Sequence, residues 1–440
     1  MGRQQFLPSQ RNWGKKGSSS LVATLANNAV GPDRNIDRNA PYAEVWVGTH
    51  PNGPAHLFHD SQELLSLIRS NPPHFLGNDL LERWPETTHV PFLFKVLSIA
   101  KALPLQAHSD KELAKDLHNE NPDEFVDANH KPKIAIAIGD KDLNTIKWGE
   151  GIVFTGFVGF RPLDDIGNFA DAVPELADAI GNEALVESFI AHPSKDGLKK
   201  IFSSLLTRST REKDSVQKAV RNLADKVKSG YSFGKLDRSG EVAKLVVAID
   251  DQYPGDVGIL ATPFFMNFVK LRRGQSIYIG ADEIHAYLEG HIIECMSVSD
   301  NVLNAAFAPT SQTTQHIPTF LDMLTYTSRD PVHWLLEPSI YSHSINKSTN
   351  VYRPPLEEFV VLGTSLSKER ASGKEVLESI NGPMIGIVIK GNIKVQVEDE
   401  SEKVSEGGIV YVVPNKEVLV ELVKGGKGEV WWAASMSRIA

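Results

Sequence analysis

The feature that most restricts the fold is a change of hydrophobic period along the 440-residue chain. The first part, to about residue 160, is made of short apolar runs broken by turns. "PYAEVWVGTHPNGPAH" (41–56) reads as a strand that breaks at Pro51-Asn52-Gly53, and "KIAIAIGD" (133–140) as a short strand ending at a Gly-Asp turn. The middle is different. Leu198, Ile201, Phe202, Leu205 and Leu206 recur at helical spacing, as do Val216, Val220, Leu223 and Val227, so residues 165–250 read as a helical block. Strands then return. Residues 267–303 carry turn signals at Arg273-Gly274 and Glu289-Gly290. In the last hundred residues Ile385, Ile387 and Ile389 alternate, "KGN" reads as a turn, and Ile393, Val395 and Val397 alternate back as a hairpin. "GGIVYVVPN" (407–415) and "GEVWWAASM" (428–436) read as further strands. Many short strands with Gly-rich turns favour sandwiches or barrels of the jelly-roll kind.

This length exceeds one ordinary core and predicts two or three domains. A formal charge of −9 argues against a nucleic-acid groove. The single cysteine, Cys295, forbids an intrachain disulfide and suits a reducing compartment. The first sixteen residues hold no apolar signal-peptide core, and no apolar run reaches membrane-spanning length. The expectation is a cytoplasmic protein acting on a small molecule, with neither nucleic acid nor membrane as partner.

Two stretches could carry chemistry. In "PLQAHSDKEL" (104–113), Gln106 and His108 are two apart and project to one face of an extended chain. In "EIHAYLEGHIIECM" (283–296), His285 and Tyr287 share one strand face, and Glu294 is expected on the strand after the turn. Periodicity alone leaves both a metal site and hydrogen-bonded wall histidines open.

The segments "YAEVWVGTHPNGPA", "PFLFKVLSIAKALPLQAHSDKELA", "NHKPKIAIAI", "YPGDVGIL" and "HAYLEGHIIECMSVSDNV", in this order, resemble the type I mannose-6-phosphate isomerases. The resemblance runs from "WGKKGSSSLVA" (13–23) into the C-terminal region. It implies a mainly β fold with a helical domain: two cupin-like jelly-roll barrels plus an inserted α-helical domain. The implied boundaries are a catalytic barrel at 1–160 and 256–330, an insertion at 161–255 and a C-terminal barrel at 331–440. It further implies a monomer that interconverts mannose 6-phosphate and fructose 6-phosphate through a cis-enediol, feeding GDP-mannose synthesis. The family's zinc is held by a glutamine, two histidines and a glutamate.

Position by position, the resemblance puts Gln106, His108 and His285 on three zinc ligands. Lys95, Lys131, Tyr287, Glu294 and Asp300 fall on pocket residues, and Trp13 and Glu44 near the entrance. Then it fails. Lys133 stands where the family has its glutamate ligand, and Asn304 where it has an arginine assisting proton transfer. Thr310 and Pro104 replace a lysine and a serine near the phosphate; Ser109 and Ile284 replace prolines. An ammonium 4 Å from a dication costs about twice the 4 kcal/mol of a unit pair at an effective dielectric of 20. Zinc is therefore expected to bind weakly or not at all. The Lys133 ammonium is expected in or near the metal position, paired with Glu294, unless it swings to solvent. Isomerase activity is expected to be reduced or lost; a non-catalytic sugar-phosphate-binding paralogue and an enzyme redirected to another carbonyl substrate are the alternatives.

Overall fold

The computed structural model describes residues 2–5, 8–30, 36–57, 61–140, 144–369 and 373–436. The fold is mainly β with a helical insertion, and its two large sheets are antiparallel throughout. The first has nine strands. Along its main path lie Met266–Arg272, Ile152–Phe160, His285–Ser297, Phe92–Ile99 and Glu44–Val47. Leu105–Ala107 and Lys133–Ala137 join on the His285–Ser297 strand and carry Leu303–Ala306 and Ser276–Ile279 in turn.

His285–Ser297 is the hub of this sheet. Residues 285–290 pair with Ile152–Phe160, and 290–297 pair with Phe92–Ile99. The register slips between Tyr287 and Glu289. The turn expected at Glu289-Gly290 is therefore a bulge inside one 13-residue strand, and Glu294 lies on the same strand as His285. Two local facts explain why the chain bends and does not reverse. Gly290 has φ 133°, and a Cβ there would sit 2.4 Å from the Val153 carbonyl oxygen. Glu289 points inward, where Lys15 Nζ lies 3.2 Å away and the Thr145 and Ile146 amides donate to its carboxylate.

The helical insertion runs from Leu163 to Phe265 between two strands that are themselves paired, Met266 lying opposite Phe160. It occupies the place of a hairpin turn. Its longest helices, Lys195–Arg211 and Lys213–Lys228, bury every residue that the spacing singled out, and Ser194 caps the first by accepting from the Gly197 amide. These helices continue into one core with Leu105, Ala107, Ala286 and Leu288. The insertion thus covers the outside of the site strands and turns Gln106, His108, His285 and Tyr287 the other way.

The second sheet has ten strands, among them Val360–Ser367, Val418–Ala434 and Met384–Val397. It also takes in Gly2–Gln5 and His56–Leu57, so the N-terminal strand straps the two β regions together. The hairpin expected around "KGN" is absent. Met384–Val397 is one strand that stays paired with Val418–Ala434 through bulges at Lys390 and Asn392. The bulges swap its faces: Ile385, Ile387 and Ile389 pack between the sheets, while Ile393, Val395 and Val397 enter the core of the second. Two alternating runs around a glycine look alike in sequence whether the chain reverses or bulges. The strand pairing closes into no complete ring among the described residues, and no helix among them is long and apolar enough to cross a membrane.

His291 sits fully buried beside Ser98, whose Oγ lies 3.0 Å from Nδ1. Burial, with the charges of Lys15 and Arg273, pushes its pKa down to about 3. Below pH 6.5 the unfolded chain binds a proton that the folded chain refuses, so stability falls as pH drops toward 3. Urea unfolding between pH 7 and 5 is expected to show this single residue contributing about 2 kcal/mol of loss in all, the slope approaching about 1.4 kcal/mol per pH unit only below pH 6, and His291→Gln a flatter profile.

Candidate functional site

Register and the bulge deliver the site. His285 lies opposite Gln106, and Gln106 opposite Asn304. Farther along the hub strand Glu294 lies between Lys95 and Ala135, two residues into the strand that Lys133 begins. Strict alternation would put Glu294 on the face opposite His285 and Tyr287. The slip at Tyr287/Glu289 restores it, and Tyr287 Oη donates to Glu294 Oε1 at 2.9 Å.

Lys133 points inward. It is 4% exposed, and its Nζ lies 3.7 Å from Glu294 Oε1, the oxygen that Tyr287 also serves. Burial lowers the Lys133 pKa; the charge of Glu294 opposes that shift and Lys95 reinforces it. Burial and the Glu294 carboxylate raise the Tyr287 phenol well above its usual range, which keeps it a donor. Nearby, Lys95 Nζ lies 3.5 Å from Glu44 Oε2 and 4.0 Å from the centre of the Trp46 ring. Lys131 is pushed down to about 7 by burial and by the like charges of Lys133 and Lys95. Asp300 is held below its ordinary range chiefly by His50, whose Nε2 lies 3.3 Å from Oδ1, and Asn52 donates to its other oxygen at 2.8 Å.

The two site histidines are both buried, with ring centres 5.2 Å apart. His108 Nδ1 is 3.0 Å from the Asn301 carbonyl, and His285 Nδ1 is 3.0 Å from the Glu283 carbonyl. A carbonyl only accepts, so both Nδ1 atoms carry the proton and both Nε2 atoms present a lone pair. Neither Nε2 has a hydrogen-bond partner. Burial and then the Lys133 charge hold both rings far below the usual histidine range, hence neutral at pH 7. Gln106 donates to the Pro104 carbonyl at 3.4 Å. Among the described residues no three His, Cys, Asp or Glu side chains come together as a metal cluster.

The remaining positions lie around this centre. Asn304 is 7% exposed with Oδ1 unpartnered, and its amide donates to His316 Nδ1 at 3.0 Å. The Trp13 carbonyl accepts from Ala100 and Lys101, and the residue packs on the cluster that includes Tyr287. Ser109 and Ile284 are buried beside the two histidines in sequence. Thr310 stands apart at the start of the Thr310–Met323 helix, on a cleft of about 280 Å³ that Lys213, Ser209 and Gln252 also line. There Lys213 Nζ lies 3.5 Å from Thr310 Oγ1. Lys213 belongs to the helical insertion, and no motif near it pointed to this cleft. His50 and Asn52 were equally hidden in the "THPNG" turn, where they read as turn residues.

Residues 4–148 match the family model for the catalytic domain of type I phosphomannose isomerase, and residues 174–266 the model for its helical insertion domain. The mannose-6-phosphate isomerase of Saccharomyces cerevisiae is 35% identical over 425 residues, covering 94% of this chain and 93% of that protein. That of Cryptococcus neoformans is 35% identical over 439 residues, with 94% of each covered. Among solved structures, the apo form of mannose 6-phosphate isomerase from Salmonella typhimurium superposes with a TM-score of 0.76 at 21% identity, over 99% of both chains.

Removing Lys133 should expose how much of the site's stability is one ion pair. Lys133→Met leaves the buried Glu294 carboxylate without its ion-pair partner, an expected loss of about 3–5 kcal/mol in chemical denaturation. Lys133→Met with Glu294→Gln is expected to recover most of it. Equal losses in both variants would mean that the pair is not what the pocket depends on.

Proposed function

The chain belongs to the type I phosphomannose isomerase family, and from that premise we propose that it binds a hexose phosphate in this pocket without holding zinc tightly. On this reading mannose 6-phosphate and fructose 6-phosphate interconvert slowly or not at all. The observation that carries it is the inward Lys133 ammonium, 3.7 Å from Glu294 and almost fully buried. The neutral imidazoles of His108 and His285, with Gln106, make three fair donors for zinc, but the residues as a set do not fit it. The fourth side carries a positive charge where a negative ligand is needed. A unit pair at 4 Å is worth about 4 kcal/mol at an effective dielectric of 20, and the dication doubles it. Each 1.4 kcal/mol is about tenfold in affinity, so the deficit amounts to several decades.

The pocket keeps what a sugar phosphate needs. Lys95, Lys131 and Lys133 make it locally basic, balanced in part by Glu44, Glu294 and Asp300. Lys131, near neutrality, can take up or release a proton. Lys133 can donate to a developing oxyanion, although an ammonium already paired to Glu294 stabilises it less than a free cation. With Asn304 in place, no second cation helps at that position. At the phosphate end Lys213 stands beside Thr310 and returns a positive charge from the insertion. We further place the protein in the cytoplasm as a monomer, with a helical insertion at 161–255 interrupting a catalytic barrel made of 1–160 and 256–330, and a C-terminal barrel at 331–440.

Metal analysis of protein purified without chelator is expected to find far less than one zinc per chain. In deuterated water, deuterium exchange at C2 of mannose 6-phosphate should be absent or at least a thousandfold slower than for an ordinary isomerase, with or without added zinc. Mannose 6-phosphate should still raise the melting temperature. Stoichiometric zinc with ordinary turnover would overturn the proposal. Lys133→Glu, Asn304→Arg and Thr310→Lys made together are expected to recover zinc and exchange, while each alone recovers little, because groups that act as a unit are not additive.

A further inference from the structure

Two buried lone pairs in this pocket have nothing to accept from. His108 is 3% exposed and His285 1%, each Nδ1–H is spent on a backbone carbonyl, and each Nε2 lacks a partner. Buried polar atoms are rarely left so unless something else completes them. Where a cation is disfavoured by Lys133, the group that completes them must be a hydrogen-bond donor.

We propose that His108 and His285 act as a pair of hydrogen-bond acceptors for two neighbouring hydroxyls of the ligand, so that the pocket takes a sugar phosphate in a hydroxyl form, a closed ring or an alditol, and rejects the open-chain carbonyl. This rests on the hexose-phosphate reading above and names which form of that ligand is bound. The polarity of the site decides it. A hydroxyl oxygen donates to one imidazole and accepts from the Lys133 ammonium at the same time. An aldehyde or ketone oxygen only accepts: it satisfies Lys133 and leaves an almost fully buried imidazole unpaired. Ring centres 5.2 Å apart and tilted by 48° suit donors on adjacent carbons. A metal site would not discriminate in this way, because a cation seeks the lone pairs that carbonyl and hydroxyl oxygens both offer.

The test is calorimetric titration of the full chain after EDTA treatment. The probes are mannose 6-phosphate, its 2-deoxy counterpart and its 1,5-anhydro counterpart, which lacks the C1 hydroxyl. Mannose 6-phosphate is expected to bind without metal, and each deletion to weaken it tenfold or more. In His108→Phe/His285→Phe the deletions should cost less than threefold. The ligand-side deletions stand on their own should that variant fail to fold. Binding of all three probes within threefold of one another overturns the inference and leaves the hexose-phosphate reading intact. Binding that EDTA abolishes and zinc restores overturns it as well, since the imidazoles then hold a metal. If mannose 6-phosphate binds under neither condition, both readings fall.

Discussion

The bend in the His285–Ser297 strand is the constraint on which the site depends. One strand serves two sets of partners because its register slips at Tyr287/Glu289, and Gly290 alone permits the path there. Ahead of the slip, odd-numbered residues face the pocket; after it, even-numbered ones do. His285, Tyr287 and Glu294 meet for that reason. A strand without the bulge would turn the Glu294 carboxylate outward, where Ile293 and Cys295 now pack against the second sheet.

Around that strand, each site group is fixed by something behind it. The insertion presses Ala107, Ala286 and Leu288 from the outside, which fixes Gln106, His108 and His285 on the inside. Backbone carbonyls of Asn301 and Glu283 choose the tautomer of each imidazole. Glu358, in the loop between the Thr349–Tyr352 and Val360–Ser367 strands of the second sheet, accepts from His130 Nε2 at 2.7 Å and so ties down the run that carries Lys131 and Lys133. Burial opposes the charge on that carboxylate, but the hydrogen bond and charge of His130 and the charge of Lys111 outweigh it and hold the pKa at about 2, so the group is charged throughout the working range.

Within this frame one buried ion pair sets the charge of the site. Lys133 sets a buried positive charge beside Tyr287 and Glu294, and Glu294 is near enough to neutralise it. A buried pair of this kind adds little net stability, because desolvation offsets most of the attraction.

The order of β, helical and β regions was legible in the sequence, since the period of burial follows directly from which face of each element meets a core. Which residues would come together was legible too: "LQAH", "HKPK" and "EIHAY" supply Gln106, His108, Lys133, His285 and Tyr287, which the structure gathers around Glu294 and one another. What the sequence could not supply was any feature in which two segments compete for one explanation. A glycine between alternating runs marks either a reversal or a bulge, and only pairing with Ile152–Phe160 and Val418–Ala434 chose the bulge. Lys133 had a long flexible stem that could reach solvent or Glu294, and only the packing of the sheet turned it inward. Lys213 reached Thr310 because the insertion folds back over the strand ends, a contact between residues 97 positions apart that no local pattern encodes. Chemistry was written in the chain; which groups face one another was decided by strand register.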